Sequence, residues 1–257
     1  MGTSGGTGAA QTLEAFLPFL LKGVLVTLEV TALAMLVAMP VAFLLALGRM
    51  STWRAPRWIA GFVIETFRGT SALVQLFWAF YVLPFFGLEL APLWAGVIVL
   101  GLNEGSYFAE VIRPALASVV AGQRDAALAL HLPRRYRFFQ IILPQALPVV
   151  IPPFGNSLVG MLKFTALVSL VTIQDLSFRA SMIRASLGES GPVYGLTLLI
   201  YFAIAMLMVA GVRRLERWVN IRAGRDPGSA LDRRSTPVPG WALWRDGNSS
   251  GNRSGNR

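Results

Sequence analysis

The chain contains no cysteine. Disulfides, thiolate nucleophiles and thiolate metal sites are therefore excluded. Histidine occurs once, at His131, too few for a multi-histidine metal centre or a pair of imidazole catalysts. Lysine occurs only at Lys22 and Lys163. Neither follows a glycine, so the phosphate-cradling G-x-x-x-x-G-K-[ST] loop is missing. G-x-G-x-x-G and H-E-x-x-H are missing as well. The sequence therefore predicts no catalytic residue, no bound metal and no cofactor in this chain. If ATP is used, another chain must bind it. Charge is scarce too: 14% of the 257 residues are charged, against about a quarter in soluble domains.

Apolar residues make up 54% of the chain. They gather in runs long enough to cross the hydrocarbon core of a bilayer. Five spans are predicted, over residues 16–48, 71–86, 91–112, 149–171 and 192–212. The first exceeds the length a span needs, which implies tilt or extension at one end. The fold class is an all-α membrane protein. Residues 1–15 lack a positive n-region and a cleavage site, and read as a flexible leader. Residues 16–220 form the membrane domain, with a loop at 113–148. From 221 to 257 the composition turns to Gly, Pro, Ser, Asn and Arg, and a disordered tail is expected.

The formal net charge is +10 and almost wholly arginine. In a soluble protein that balance would suggest nucleic acid. Here the arginines flank spans and mark the cytoplasmic side. The first loop holds Arg49, Arg54 and Arg57, and the loop at 113–148 holds five arginines. The loop around residues 84–92 holds none. This bias predicts the N-terminus outside and the C-terminus inside. Arg179 and Arg184 in the fourth loop oppose it, offset by Asp175 and Glu189.

Polar residues at membrane depth are costly and so point to bundle interiors or water-filled routes. Asn103, Tyr107 and Glu110 share one helix face by their spacing, with Ser106, and Glu104 lies beside that face. Two carboxylates and an amide there suit a zwitterionic or cationic solute, and equally suit interhelical hydrogen bonding. Lys163 needs a partner, for which Glu104 or Glu110 is suited, and Thr165 adds a hydroxyl nearby. Glu65 and Arg68, at i,i+3, are placed for a structural ion pair. Lys22 is placed to snorkel outward. Pro152, Pro153 and Gly155 suggest an irregular start to the fourth span. These residues alone admit a transport subunit or a non-transporting membrane scaffold or receptor-like subunit.

The stretch AGQRDAALALHLPRRYRFFQIILP, residues 121–144, interrupts the spans. Asp125 suits a helix start. His131 falls just past the last turn, where a left-handed residue is common. Leu132-Pro133 then forces an extended dipeptide, and a basic amphipathic helix follows up to Pro144.

This stretch resembles the EAA loop of bacterial ABC importer permeases, E-A-A, three residues, Gly, nine residues, I-x-L-P. The chain has Asp125-Ala126-Ala127, three residues, His131, nine residues, then Ile141-Ile142-Leu143-Pro144. FRGTSALVQ, NEGSYFAEVIR, GQRDAALAL, ILPQALPVVIPPFGN and LKFTALVSLV are similar to successive motifs of the polar amino acid permease family (histidine, glutamate, glutamine, arginine, opine). That family usually reads Lys-Asp-Thr-Ser-Leu where this chain has Lys163-Phe164-Thr165-Ala166-Leu167, so an acid and a hydroxyl are lost. ALVSLV and QDLSFRA resemble the branch that imports ectoine and hydroxyectoine. The resemblance implies an inner-membrane, multi-pass permease subunit with no ATPase chemistry of its own. It implies two ATP-binding subunits, a second permease chain, identical or homologous, and an external solute-binding protein. It assigns Gly122, Gln123, Asp125, Ala126, Ala127 and His131 to a cytoplasmic coupling helix that docks on the ATPase. Asn103, Glu104, Tyr107, Glu110, Lys163 and Thr165 stand as the expected substrate path.

Overall fold

The computed structural model describes the backbone of residues 5–118, 126, 127, 129–188 and 190–222. Side chains within these are described from residue 16 onward, except at 134 and 222. Packing divides the chain into one unit up to Glu216 and a second from Arg217, and of the second only the last turns of the final helix are described. Among the described residues the secondary structure is helical throughout.

Helix α1 runs Gly5–Arg49. Its backbone is helical over residues 5–15, where the sequence suggests a flexible leader. Propagation of an existing helix costs little per residue, so the apolar run extends backward through its small neighbours. The next elements are α2, Arg54–Gly69, and α3, Ala72–Phe86, whose axes differ by 101°. Helix α4 runs Pro92–Ala117. A single turn at Arg134–Tyr136 leads into α5, Arg137–Val171. Helices α6, Leu176–Leu187, and α7, Gly191–Arg222, complete the chain. Four helices are long and apolar enough to cross a membrane, and α2 with α3 passes the same test together as a bent pair, either a broken span or a re-entrant loop. The spans predicted at 16–48, 91–112, 149–171 and 192–212 fall in those four helices, and the one predicted at 71–86 falls in α3, the second half of the bent pair.

Helix α1 is the spine. Leu20 packs with Leu176, Ala180, Ile183 and Val193. Val30, Ala34, Met35 and Ala38 pack with Leu76, Leu100, Met161 and Val168. Ala42 and Ala46 pack with Ile64, Phe108, Ile112 and Ala146. Ala34, Ala38, Ala42 and Ala46 recur every four residues and are all but fully buried. Gly101 and Gly105 of α4 meet this stripe. A Cβ at Gly101 would lie 3.0 Å from the Ala34 carbonyl oxygen, and one at Gly105 3.0 Å from that of Ala38. In lipid, helices associate by such close packing rather than by the hydrophobic effect.

Prolines shape α5 differently from expectation. The helix runs unbroken over Leu143–Phe164 through Pro148, Pro152 and Pro153, so the fourth span has no irregular start there. The distortion lies earlier. Pro144 offers no N–H to the turn behind it, and a π-helical segment over Arg137–Ile142 precedes it. The same device occurs in α3, where Trp78–Val82 is π-helical ahead of Pro84. The amphipathic segment expected to stop at Pro144 is therefore continuous with the span.

The fourth loop holds α6 rather than irregular chain. Asp175 caps it, its carboxylate accepting from the backbone N–H groups of Ser177 at 3.2 Å and Phe178 at 2.9 Å. Gly188, with φ of 72°, closes it in the left-handed region that favours glycine.

Candidate functional site: the coupling turn and the polar clusters at membrane depth

Of the residues assigned to the coupling helix, Gly122, Gln123 and Asp125 lie outside the described residues. Ala126 is exposed and Ala127 is buried. The Leu130 N–H donates to the Ala126 carbonyl at 3.0 Å, and the Leu132 N–H to the Ala127 carbonyl at 3.2 Å. The second bond spans six residues, the closure of a Schellman turn. Its left-handed residue is His131, with φ of 52°. The histidine thus stands in the geometry the spacing predicts. Its Nδ1 lies 3.0 Å from the Ala129 carbonyl oxygen, an acceptor only, so Nδ1 carries the proton. The exposed imidazole is tied to its own turn.

His131→Gly therefore removes the left-handed penalty at the cost of chain entropy, and is expected to leave folding and uptake within about 1 kcal/mol and twofold of wild type. His131→Val puts a β-branched side chain at positive φ and is expected to destabilise the turn by about 1–3 kcal/mol. Thermal melting and uptake of the two variants, side by side, distinguish a geometric histidine from a chemical one.

The polar residues of α4 divide between two tasks. The Asn103 amide nitrogen donates to the Phe67 carbonyl at 3.0 Å and to the Gln75 Oε1 at 3.1 Å. The Gln75 amide nitrogen donates to the same carbonyl at 2.9 Å and to the Thr70 hydroxyl at 2.6 Å. Thr70 in turn donates to the Thr66 carbonyl at 2.8 Å, and the Tyr107 hydroxyl donates to that of Arg68 at 3.2 Å. These are the carbonyls that α2 leaves free where it breaks from α3. Backbone acceptors freed at a helix end need partners, and Asn103, Gln75, Thr70 and Tyr107 supply them. Gly69-Thr70 suits a bend in the sequence, but no spacing there signals that Gln75 serves the carbonyls the break frees.

Glu65 and Arg68 do not form the predicted ion pair; both are exposed, and the Arg68 guanidinium lies over the Tyr107 ring, 5.3 Å from its centroid. At the helix end, where water competes for both charges, the aromatic face is the better-placed partner. Glu110 is also engaged. Its Oε2 accepts from Arg113 Nη2 at 2.8 Å, and its Oε1 lies 3.8 Å from Arg49 Nε. It joins the ends of α1 and α4. Glu104 is buried, with Ser157 of α5 in hydrogen-bonding reach.

Lys163 pairs with neither Glu104 nor Glu110. It is exposed and lines an open groove of about 390 Å³ with Leu162, Ala166, Leu198, Tyr201 and Phe202. Thr165 belongs elsewhere: it is fully buried, its hydroxyl donating to the Leu162 carbonyl at 2.7 Å. It adjoins a cluster the sequence did not disclose. The Thr27 hydroxyl accepts from the Leu176 N–H at 3.1 Å. Tyr201 Oη lies 3.0 Å from Ser177 Oγ and donates to Asp175 Oδ2 at 3.3 Å. Thr27 and Thr165 are also within reach of that hydroxyl. Four helices are thereby pinned at one height. The expected substrate-path residues thus fall into separate places: Asn103 and Tyr107 at the helix break, Glu110 at the helix ends, Glu104 against α5, Thr165 in the buried cluster and Lys163 at the groove. Among the described residues no group of three or more His, Cys, Asp or Glu could hold a metal.

Burial pushes the Asp175 carboxyl up to about 6 from an ordinary 3.8, against the lowering effect of its hydrogen bonds from Phe178, Ser177 and Tyr201. The folded state thus holds the proton that the unfolded state releases. The stability contribution is full below about pH 4, falls as pH rises to about 6 and is flat above. Asp175→Asn keeps a capping oxygen and is expected to abolish that slope. Thermal melts of both proteins across pH 4–7 check it; parallel curves would remove Asp175 as the cause.

Comparison with known proteins matches residues 38–221 to the model of the binding-protein-dependent transport system inner membrane component family. A probable amino-acid ABC transporter permease protein, y4tF, of Sinorhizobium fredii is 39% identical over 207 residues, covering 77% of this chain and 87% of that one. The L-cystine transport system permease protein TcyB of Bacillus subtilis is 36% identical over 211 residues, covering 80% and 90%. Among solved structures, an amino acid ABC transporter crystallised with histidines superposes with a TM-score of 0.74 at 30% identity, over 80% of this chain and 97% of that one. The fold, the multi-pass helices and these matches agree: the chain belongs to the family of inner-membrane components of binding-protein-dependent transport systems, and is a permease subunit rather than an enzyme.

Proposed function

We propose that this permease moves a polar amino acid, or a small zwitterion of the ectoine type, delivered by an external solute-binding protein. Two ATP-binding subunits supply the energy and a second permease chain, identical or homologous, completes the path. The observation that carries this reading is the coupling turn. Its Schellman closure at His131 keeps Ala126 exposed ahead of a continuous helix that runs into the membrane as α5. A short helix seated in an ATPase cleft can transmit motion to α5 because no flexible linker separates them. Closure of the ATPase pair then biases a two-state bundle. The arginine bias places this loop and the C-terminus in the cytoplasm.

The second permease chain has support of its own. Glu29 of α1 and Lys163 of α5 are exposed, and among the described residues neither has an ion-pair partner. Each lies two residues from the cluster that brings Thr27 and Thr165 together, so the two charges share a depth. Charges at that depth require protein or water beside them rather than lipid. We assign Lys163 to the carboxylate of the solute. Lys163→Met is expected to lower uptake at least tenfold while the ATP-binding subunits stay attached, because a charge-assisted bond of this kind is worth about 1.5–3 kcal/mol. Uptake by reconstituted importer, with polar amino acids and ectoines presented in turn on the cognate binding protein, tests the substrate class. Binding of every solute without ATP-dependent uptake of any would favour a receptor-like subunit.

A further inference from the structure

The turn between α1 and α2 forms a pocket of about 440 Å³ lined by Arg49, Arg54, Ala55, Arg57 and Trp58. Three arginines line one open cavity, and no carboxylate lines it. Arg49 shares its charge with Glu110 at 3.8 Å. Arg57 donates Nη2 to the Thr52 carbonyl at 3.1 Å, which holds the turn but neutralises nothing. Arg54 and Arg57 have no acidic partner among the described residues. The pocket is shaped from behind as well. A Cβ on Gly61 would lie 2.8 Å from Arg49 Nη1, so the absence of a side chain there leaves room for the guanidinium.

The surroundings are those of a membrane boundary. Arg49 ends the apolar span that begins at Phe16. Trp58, Ile59 and Phe62 turn outward from α2, each more than 60% exposed. The Trp58 and Phe62 rings lie parallel, within 5°, with centroids 6.1 Å apart. Aromatic side chains of this kind settle at the headgroup level. A cationic pocket therefore opens beside an apolar, aromatic ledge, and α2 carries both.

We propose that this pocket binds the phosphate of an anionic phospholipid, with an acyl chain lying along Trp58 and Phe62. Guanidinium forks match phosphate oxygens in geometry and charge. Basic pockets at helix ends on the cytoplasmic face suit such headgroups. A soluble phosphate would use the arginines and leave the ledge uncovered; a diacyl lipid uses both. The bound lipid would fasten α2 to the bilayer beside the break at Thr70, where α2 and α3 meet at 101°.

The test uses the permease with its ATP-binding subunits, purified from nanodiscs containing phosphatidylcholine and phosphatidylglycerol, with retained lipid counted by native mass spectrometry. Wild type is expected to retain phosphatidylglycerol in preference to phosphatidylcholine. Arg54→Gln is expected to lower that preference about fivefold, and Arg54→Gln with Arg57→Gln about twenty-fivefold. Should the double variant fail to insert, Arg54→Lys with Arg57→Lys keeps the charge and loses the fork; a preference a few-fold below wild type supports the site, and an unchanged one overturns it. Equal retention of both lipids by wild type, or a preference untouched in the glutamine variants, overturns it too. Displacement of the lipid by inorganic phosphate at constant ionic strength reassigns the pocket to a soluble anion. Loss of the ATP-binding subunits with lipid preference intact reassigns the arginines to a protein partner.

Discussion

Ala126→Trp is expected to cut ATP-dependent uptake at least tenfold while the permease still folds and inserts. Ala126 is exposed just ahead of the Schellman closure at His131. Its small side chain leaves a flat surface where a partner can approach closely. An indole there would hold the ATPase away, or seat it wrongly, and a 1 Å misplacement is enough to cost about a hundredfold in a positioned system. The neighbouring Ala127 is buried, so the same substitution there would disturb the turn itself and is the less informative change. Asp125→Arg, reversing charge where the sequence suits a helix start, is expected to act in the same direction. Uptake and ATP hydrolysis are measured together in proteoliposomes. Uncoupling appears as hydrolysis that persists while uptake falls. Normal uptake by Ala126→Trp at normal expression would sink the assignment of this turn to the ATPase.

Gly101→Leu is expected to abolish assembly of the membrane domain. The α1–α4 seam brings the Gly101 backbone so near α1 that even a Cβ would lie 2.8 Å from Val37 Cβ and 3.0 Å from the Ala34 carbonyl oxygen. A side-chain terminus can swing away, but the backbone of a packed span cannot do so locally. Gly101→Ala is expected to cost about 1–3 kcal/mol, the usual penalty of overpacking. Gly105→Ala, facing Val41 and the Ala38 carbonyl in the same way, is expected to match it. Gly160 supplies the control. A Cβ there meets nothing within 4 Å, so Gly160→Ala is expected to be neutral or to stabilise by up to about 1 kcal/mol. Membrane-inserted yield of Gly101→Leu, and yield and thermal melting of the three alanine variants, decide the matter. Equal losses at all three positions would remove the seam as the cause.

The seam was open to sequence reading in part. Alanine every four residues from Ala34 to Ala46, and glycine at 101 and 105, is the small-residue spacing that close-packed membrane helices need. What no spacing shows is that these two stripes face one another. Both helices carry other small residues, and only the tertiary contact selects the pair.

Elsewhere the division follows the range of the forces involved. The number of spans and the class of the protein follow from local composition, because crossing a bilayer requires a continuous apolar length whatever surrounds it. The left-handed turn at His131 also followed from spacing alone, since a helix that ends ahead of Leu132-Pro133 must close its last carbonyls within a few residues. The ion pair expected between Glu65 and Arg68 failed because i,i+3 spacing permits contact without requiring it, and Tyr107 from a distant helix competes for Arg68. Asn103 and Tyr107 were legible as polar residues on one face, yet their partners are carbonyls freed by a break in another helix. Asp175 reads in sequence as a loop acid balancing nearby arginines; folding buries it against Tyr201 and the start of α6. Sequence by itself determined what crosses the membrane and where the chain must leave it, because those are matters of solvation and backbone geometry within one segment. Tertiary structure alone decided which polar groups meet across helices, because bonds such as Asn103 to Phe67 and Leu176 to Thr27 join residues separated by tens of positions and are chosen by packing.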